Sequence, residues 1–338
     1  MPEANEATWL PLHRLTAEQK MRRVGVEIEY TGITAQTSVE LIQAYFGGNL
    51  EEKNSLEFAV VDTRLGKFKL ELDADMMKSL AAKKAAKQTE NTATDESLSD
   101  TAADLLIEAA KQFVPWEVVT PPIPFDQLST LVPFINAMRK TGALGTRHAL
   151  HHAFGVHLNP ELPDHQPATI VKYLQAFFCL YEWIVKKEDI DTARKLSPYI
   201  NHFGKDYILL VISPEYRPSL SELIDDYLRF NPTRNRSLDM LPLFTYLDEA
   251  RVRGTVDDAR VNGRPTFHYR LPNCDIDNPD WNITLPWFLW LEVEKLVVDE
   301  KKLAHLCTAF QQELARLSHP FENRWVDFLE QELTMNAT

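Results

Sequence analysis

Residues 22–33 read Arg-Arg-Val-Gly-Val-Glu-Ile-Glu-Tyr-Thr-Gly-Ile, and their alternation is strict. Val24, Val26, Ile28 and Tyr30 fall on one face of an extended chain; Gly25, Glu27, Glu29 and Thr31 fall on the other. A period of two means a β-strand with one face for a core and one polar face. Glu27 and Glu29 then lie side by side, roughly 6–7 Å apart. They repel unless a cation sits between them, and hard oxygen donors in that position suit Mg²⁺ or Mn²⁺. Glu-x-Glu is also common on plain solvated strands, so the strand alone leaves both readings open.

The rest of the chain supplies material for a sheet and its cover. Residues 56–62 and 67–73 predict a hairpin around Arg64-Leu65-Gly66. Short helices are expected at 38–46, stopped by Gly47-Gly48, and at 127–140, ending at Gly142. Residues 116–120 and 154–159 read as strands, and 206–213 as an apolar strand candidate. Residues 168–187 carry apolar side chains at helical spacing. Residues 251–269 suggest a hairpin turning at Asn262-Gly263, and 285–333 two or three packed helices. Residues 76–113 look like an elaboration, an Ala/Lys-rich helix followed by a polar stretch. Strands followed by helices, without βαβ regularity, predict an α+β fold with helices on one face of a sheet. No linker divides the chain, so one domain over 1–338 is expected, with a helical C-terminal part from 281.

Composition narrows the function classes. Of 338 residues, 44% are hydrophobic and 25% charged, which excludes disorder as the main state. Thirty-six Lys and Arg against 49 Asp and Glu give a net charge of −13. That argues against nucleic acid as a partner, since such binding needs a basic face. Cys179, Cys274 and Cys307 show no CxxC spacing, so no disulfide framework or zinc ribbon is expected, which fits a reducing cytoplasm. The N-terminal Met-Pro-Glu-Ala-Asn-Glu does not read as a signal peptide. The stretch 281–298 is too rich in polar residues for a membrane span.

Further chemistry-bearing residues sit on predicted strands. Glu117 interrupts an apolar strand, where a buried carboxylate needs a metal, an arginine or exposure. His157 and Asn159 share a face in Gly-Val-His-Leu-Asn, as His268 and Arg270 do in Phe-His-Tyr-Arg. Arg270 could clamp a phosphate or carboxylate at two points. Arg234 and Arg236 precede an apolar stretch. His148, His151 and His152 match no zinc spacing. A satisfied structural histidine or a surface arginine is the plain alternative for each. There is no GxxxxGK[ST], GxGxxG or GxSxG; a bound nucleotide would have to be held by side chains and metal.

The order of these pieces resembles the amidoligase family of carboxylate–amine ligases, relatives of glutamine synthetase and glutamate–cysteine ligase. The likeness rests on Arg-x-Gly-x-Glu-x-Glu, then Glu-Val-Val-Thr-Pro-Pro, then Arg-Lys-Thr-Gly-Ala, then Gly-Val-His-Leu-Asn. It is good over about 22–160 and continues, weaker, into residues 191–199, 235–243 and 267–270. The resemblance implies a curved, largely antiparallel, glutamine-synthetase-like sheet cradling ATP and Mg²⁺ or Mn²⁺. It implies joining of a small-molecule or peptide carboxylate to an amine through an acyl phosphate. By the same resemblance Glu27, Glu29, Glu117 and His157 are metal ligands, with Asp73 at the end of a strand as a further acidic ligand. Asn159 and Arg236 would touch nucleotide or substrate, and Arg270 would steady the phosphoryl group. His268 stands where the family commonly carries Glu and would be the metal ligand in its place. Asp239 stands where the family often has Asn, and 76–113 looks inserted. Two other classes remain open: a catalytically weakened relative acting as a binding or scaffold protein, and a metal-dependent hydrolase.

Overall fold

Strand β1 (Arg23–Tyr30) forms as its alternation demands: Val24, Val26, Ile28 and Tyr30 are completely buried. The computed structural model describes residues 9–54, 56–72, 115–146, 154–190, 200–316 and 321–334. After β1, helix α1 (Ala35–Phe46) begins at Thr34, whose hydroxyl accepts from the Thr37 backbone N–H. Gly47 and Gly48 then end it with positive φ values, and a Cβ on Gly48 would lie 2.4 Å from the Val61 carbonyl. The chain returns through β2 (Asn49–Asn54) and the hairpin β3 (Glu57–Thr63) and β4 (Gly66–Leu72). Next come β5 (Trp116–Val119), β6 (Ile123–Pro124), a 3-10 turn at Phe125–Thr130 and helix α2 (Leu131–Thr141). β7 (Val156–Pro160) leads into α3 (Pro167–Lys187), α4 (Lys205–Val211) and α5 (Leu220–Phe230). The two-residue strand β8 (Leu238–Asp239), helices α6 (Leu241–Leu247) and α7 (Glu249–Arg253), and strand β9 (His268–Tyr269) follow. Helices α8 (Thr284–Val298), α9 (Glu300–Ala315) and α10 (Phe321–Thr334) finish the described chain.

The strands form one open sheet in the order β2-β3-β4-β5-β1-β7-β9-β8, with β6 beside the start of β1. Every pairing between these named strands is antiparallel. The apolar face is covered by helices at both ends. Phe46 of α1 stacks on Phe68 of β4 at 5.0 Å and meets Phe134 of α2 at 5.4 Å. Towards the other edge, Tyr173 and Phe177 of α3 and Trp290 of α8 close over Phe267 and Tyr269. The protein is thus a mixed α+β fold on a mostly antiparallel sheet.

Helix α3 is long and apolar enough, by length and composition, to cross a membrane, yet 72% of its apolar window is buried inside the protein. Its surface is taken up by α4, α8, α9 and α10, as a core helix requires. All three cysteines are free and buried, and the sulfurs of Cys179 and Cys307 lie 3.9 Å apart.

Two expected elements differ. Residues 206–213 are not a strand: they lie in and just after α4, entered through an extended Gly204, with Tyr207, Ile208 and Val211 buried at helical spacing. A short apolar run cannot by itself separate the two periods. Residues 251–269 do not form a hairpin. Their first part completes α7, and β9 pairs instead with β7 and β8. The 76–113 segment, Asp73 and the histidines at 148, 151 and 152 lie outside the described residues.

Candidate metal centre

On the polar face, strand register brings the sequence-predicted residues together. Glu27 is opposite His157, and Glu29 is opposite Glu117. The His157 Nδ1 lies 2.9 Å from Glu27 Oε2. A carboxylate only accepts, so Nδ1–H is the donor and the ring orientation is fixed. The His157 Nε2 then lies 3.6 Å from Glu29 Oε1, and Glu117 Oε1 is 3.9 Å from Nδ1. Glu29 is held from its other side by the Gly155 backbone N–H, which donates to Oε2 at 2.6 Å.

Asn159 joins the second histidine to this group. Its Nδ2 donates to Glu27 Oε1 at 3.0 Å, and its Oδ1 accepts from the Nδ1–H of His268 at 2.7 Å. The amide thus acts as a bridge with both ends assigned. It leaves the Nε2 lone pair of a neutral His268 free for a cation. Burial drives the His268 imidazole well below the ordinary histidine pKa, against the pull of Glu27. Burial also opposes ionisation of Glu27. The His157 hydrogen bond and the Arg264 guanidinium oppose it, joined by His268 only when that ring is charged, and the carboxyl is held well below its ordinary range.

Two sets of potential ligand atoms result: Glu27, His157 and His268, and Glu29, Glu117 and His157. Within each set the atoms lie within 4.8 Å of one another. The two share His157. Carboxylate oxygens mixed with imidazole nitrogens, on backbone fixed by a sheet, form a donor set that fits a divalent cation, with Mn²⁺ favoured over Mg²⁺ by the nitrogens. Asn159, expected beside substrate or nucleotide, orients two of the ligands, in the manner that outer hydrogen bonds support metal-binding histidines.

The arginines sort differently from their spacing. Arg270 is buried, donates to the Arg234 carbonyl at 2.8 Å, and feels the charges of Arg234, Asp239, Glu29 and Glu27. Arg236 instead donates to the His202 carbonyl and lies over Phe203, 5.9 Å from its centroid. The structure therefore brings Arg234, not Arg236, to the side of Arg270. Residues missed from sequence are Arg264, whose Nη1 is 2.9 Å from Glu27 Oε1, and Asp239 as a member of the site. Asp239 is opposite His268 in the sheet, and burial pushes its carboxyl up to about 7. The usable signal for Arg264 is the need of a buried Glu27 for a cation.

Residues 20–292 match the family described as "putative amidoligase enzyme", and the chain belongs to that family. The match spans β1 through most of α8 and includes every residue of the centre. It places the chain among ligase-type enzymes. No curated protein and no solved structure matches it.

Proposed function

We propose that the protein is an ATP-dependent carboxylate–amine ligase working with Mg²⁺ or Mn²⁺ on a small-molecule or peptide acid and amine. The observation that carries this reading is the pair of overlapping ligand sets joined at His157 on one sheet face, with buried Arg270 beside them, in a chain of the amidoligase family. A carboxylate is a poor electrophile. Attack of its oxygen on the γ-phosphorus of ATP releases ADP and gives an acyl phosphate. Attack of the amine nitrogen on the acyl carbon then forms the amide and expels phosphate, and the nitrogen loses a proton. Phosphoryl transfer of this kind needs positioning and charge neutralisation more than covalent help.

The chain's own residues are suited to that task. Glu27 stays ionised despite burial and His268 stays neutral, so both are in the protonation state a metal needs. Asn159 locks the two against each other. Arg270 sets a fixed positive charge beside Glu27 and Glu29, where a phosphoryl group develops negative charge. A bound divalent cation would supply charge neutralisation for the phosphates.

Calorimetry on Glu27→Gln and Glu29→Gln tests this. Each should lower Mg–ATP affinity by at least about tenfold, roughly 1.4 kcal/mol. Unchanged affinity in both would refute the site. A screen of acids and amines for stimulated phosphate release identifies the substrates. Binding of metal but not of nucleotide would favour a hydrolase, and binding of neither a scaffold.

A further inference from the structure

Arg264 stands outside the ligand sets yet touches Glu27, the carboxylate of one of them. Its backbone is fixed: the Arg264 N–H donates to the Pro242 carbonyl at 2.9 Å. The preceding Gly263 packs so closely on α6 that an added Cβ would lie 3.1 Å from the Tyr246 nitrogen. The side chain is 38% exposed while that of Glu27 is 10% exposed, so the guanidinium reaches the carboxylate from the solvent side. The oxygen it takes, Oε1, already accepts from Asn159. Its Nε has no hydrogen-bond partner among the described residues. A divalent cation bound by Glu27, His157 and His268 would meet a full positive charge at the same carboxylate.

We propose that Arg264 is a resident cation for Glu27. Metal binding displaces its guanidinium, which then becomes a positioning group for the anion arriving with the metal, the phosphate chain of the nucleotide. This rests on the metal-and-nucleotide reading above. It explains how a buried anionic site is held together before a metal arrives, and it makes one side chain oppose binding of the metal alone and favour binding of the nucleotide.

The test uses the full chain and Mn²⁺ alone as the probe, followed by Mn²⁺ with ATP. Arg264→Gln should bind Mn²⁺ about fivefold more tightly than the parent, the lower end of ordinary coupling between sites. The same variant should bind Mn–ATP about tenfold more weakly, the scale of one charge-assisted contact. In a Glu27→Gln background the gain in Mn²⁺ affinity should vanish. Arg264→Met repeats the measurement with the apolar stem kept, in case the first variant folds poorly. A loop that merely needs Arg264 for its shape would lose both affinities together. Equal or weaker Mn²⁺ binding in the variants, with the parent binding normally, overturns the displacement and leaves the ligase reading intact. A gain that persists without Glu27 also overturns it, because the effect would then be long-range charge. Binding of Mn²⁺ by neither parent nor variant overturns both.

Discussion

Arg22 and Glu27 belong to the same stretch of chain, at the threshold of β1 and within it, and both are buried charges. Around Arg22 every polar group is spent. Its guanidinium donates to both Glu294 oxygens at 2.9 and 2.7 Å, and to the His13 and Glu161 carbonyls. Glu294 also accepts from Tyr173 and Trp290. The unit is closed and neutral, and it fastens the start of the sheet to α8 and α3. Around Glu27 three carboxylates, two imidazoles and an amide crowd one face, and the nearest cation, Arg264, comes from a solvent-facing loop. A closed pair serves architecture. A group with surplus ligand atoms is what a fold keeps when something else is meant to bind there.

The sharpest way to break this contrast is to cut each unit. Glu294→Ala strands a fully buried guanidinium and should cost about 3–5 kcal/mol. The double change Arg22→Met with Glu294→Leu should recover most of that loss. Glu27→Gln should cost only about 1–2 kcal/mol, because Arg264 can turn to water and the amide still accepts from Asn159. Urea unfolding reads all three. Equal losses for Glu294→Ala and Glu27→Gln would mean that the two units are equally structural.

How much of this was legible in the sequence follows the range of the interactions. The alternation of β1, the β3–β4 hairpin and the apolar stripe of α3 are set by neighbours along the chain, and each formed where expected. Residues 206–213 lie in and just after a helix rather than in a strand because eight apolar-rich residues satisfy either period until the chain's entry at Gly204 decides. The Asn262-Gly263 dipeptide predicts a hairpin turn, yet residues 261–264 run without one, and the strand that follows, β9, pairs with β7 and β8. Carboxylates and histidines on strands were found because a period of two assigns their face. Arg234 and Arg236 share that period, and only the tertiary path sends one towards Arg270 and the other to His202 and Phe203. Arg264 lies in a loop, where no period applies.

His268 sharpens the contrast from the open side. His268→Ala should weaken Mn²⁺ binding by about a hundredfold, the upper range for losing one supporting ligand group. His268→Glu should keep binding and move preference towards Mg²⁺, at the expense of the metal-free protein, where a second carboxylate would be buried beside Glu27. Thermal melts with and without Mg²⁺ should therefore separate more for this variant than for the parent. Burial holds the His268 pKa well below 6.5, so the acid loss of metal binding owed to this residue should begin below pH 6.5. If His268→Ala binds Mn²⁺ like the parent, this strand carries no ligand.

Asp239 gives a smaller effect with a definite sign. Its folded pKa is raised to about 7 from the ordinary 3.8. The folded state therefore holds a proton that the unfolded state gives up, and stability falls as pH rises from about 4 to about 7. Asp239→Asn removes that term. Its advantage over the parent should be absent below pH 4 and reach on the order of 1–2 kcal/mol at pH 8, less than the full linkage because Arg234, Arg264 and Arg270 lose a countercharge. A constant difference across pH would show that Asp239 titrates normally.

The weakest effect belongs to the rim of the open face. Glu57, Glu71, Glu117 and Glu29 are directly opposite one another across β3, β4, β5 and β1. Like charges in register destabilise a sheet by about 0.2–1 kcal/mol per pair. Glu71 is 42% exposed and has Lys69 nitrogen 3.8 Å away, so the lower end applies. Glu71→Gln should raise the stability of the metal-free protein by a few tenths of a kcal/mol at low salt, and the gain should fade near 1 M salt, where the screening length is about 3 Å. The Arg22–Glu294 pair, shielded from solvent, should keep its contribution over the same salt range. A salt-insensitive gain at Glu71 would mean that the row is stabilised by packing rather than strained by charge. The divide between a closed unit and an open one would then have to be drawn inside the carboxylate row itself.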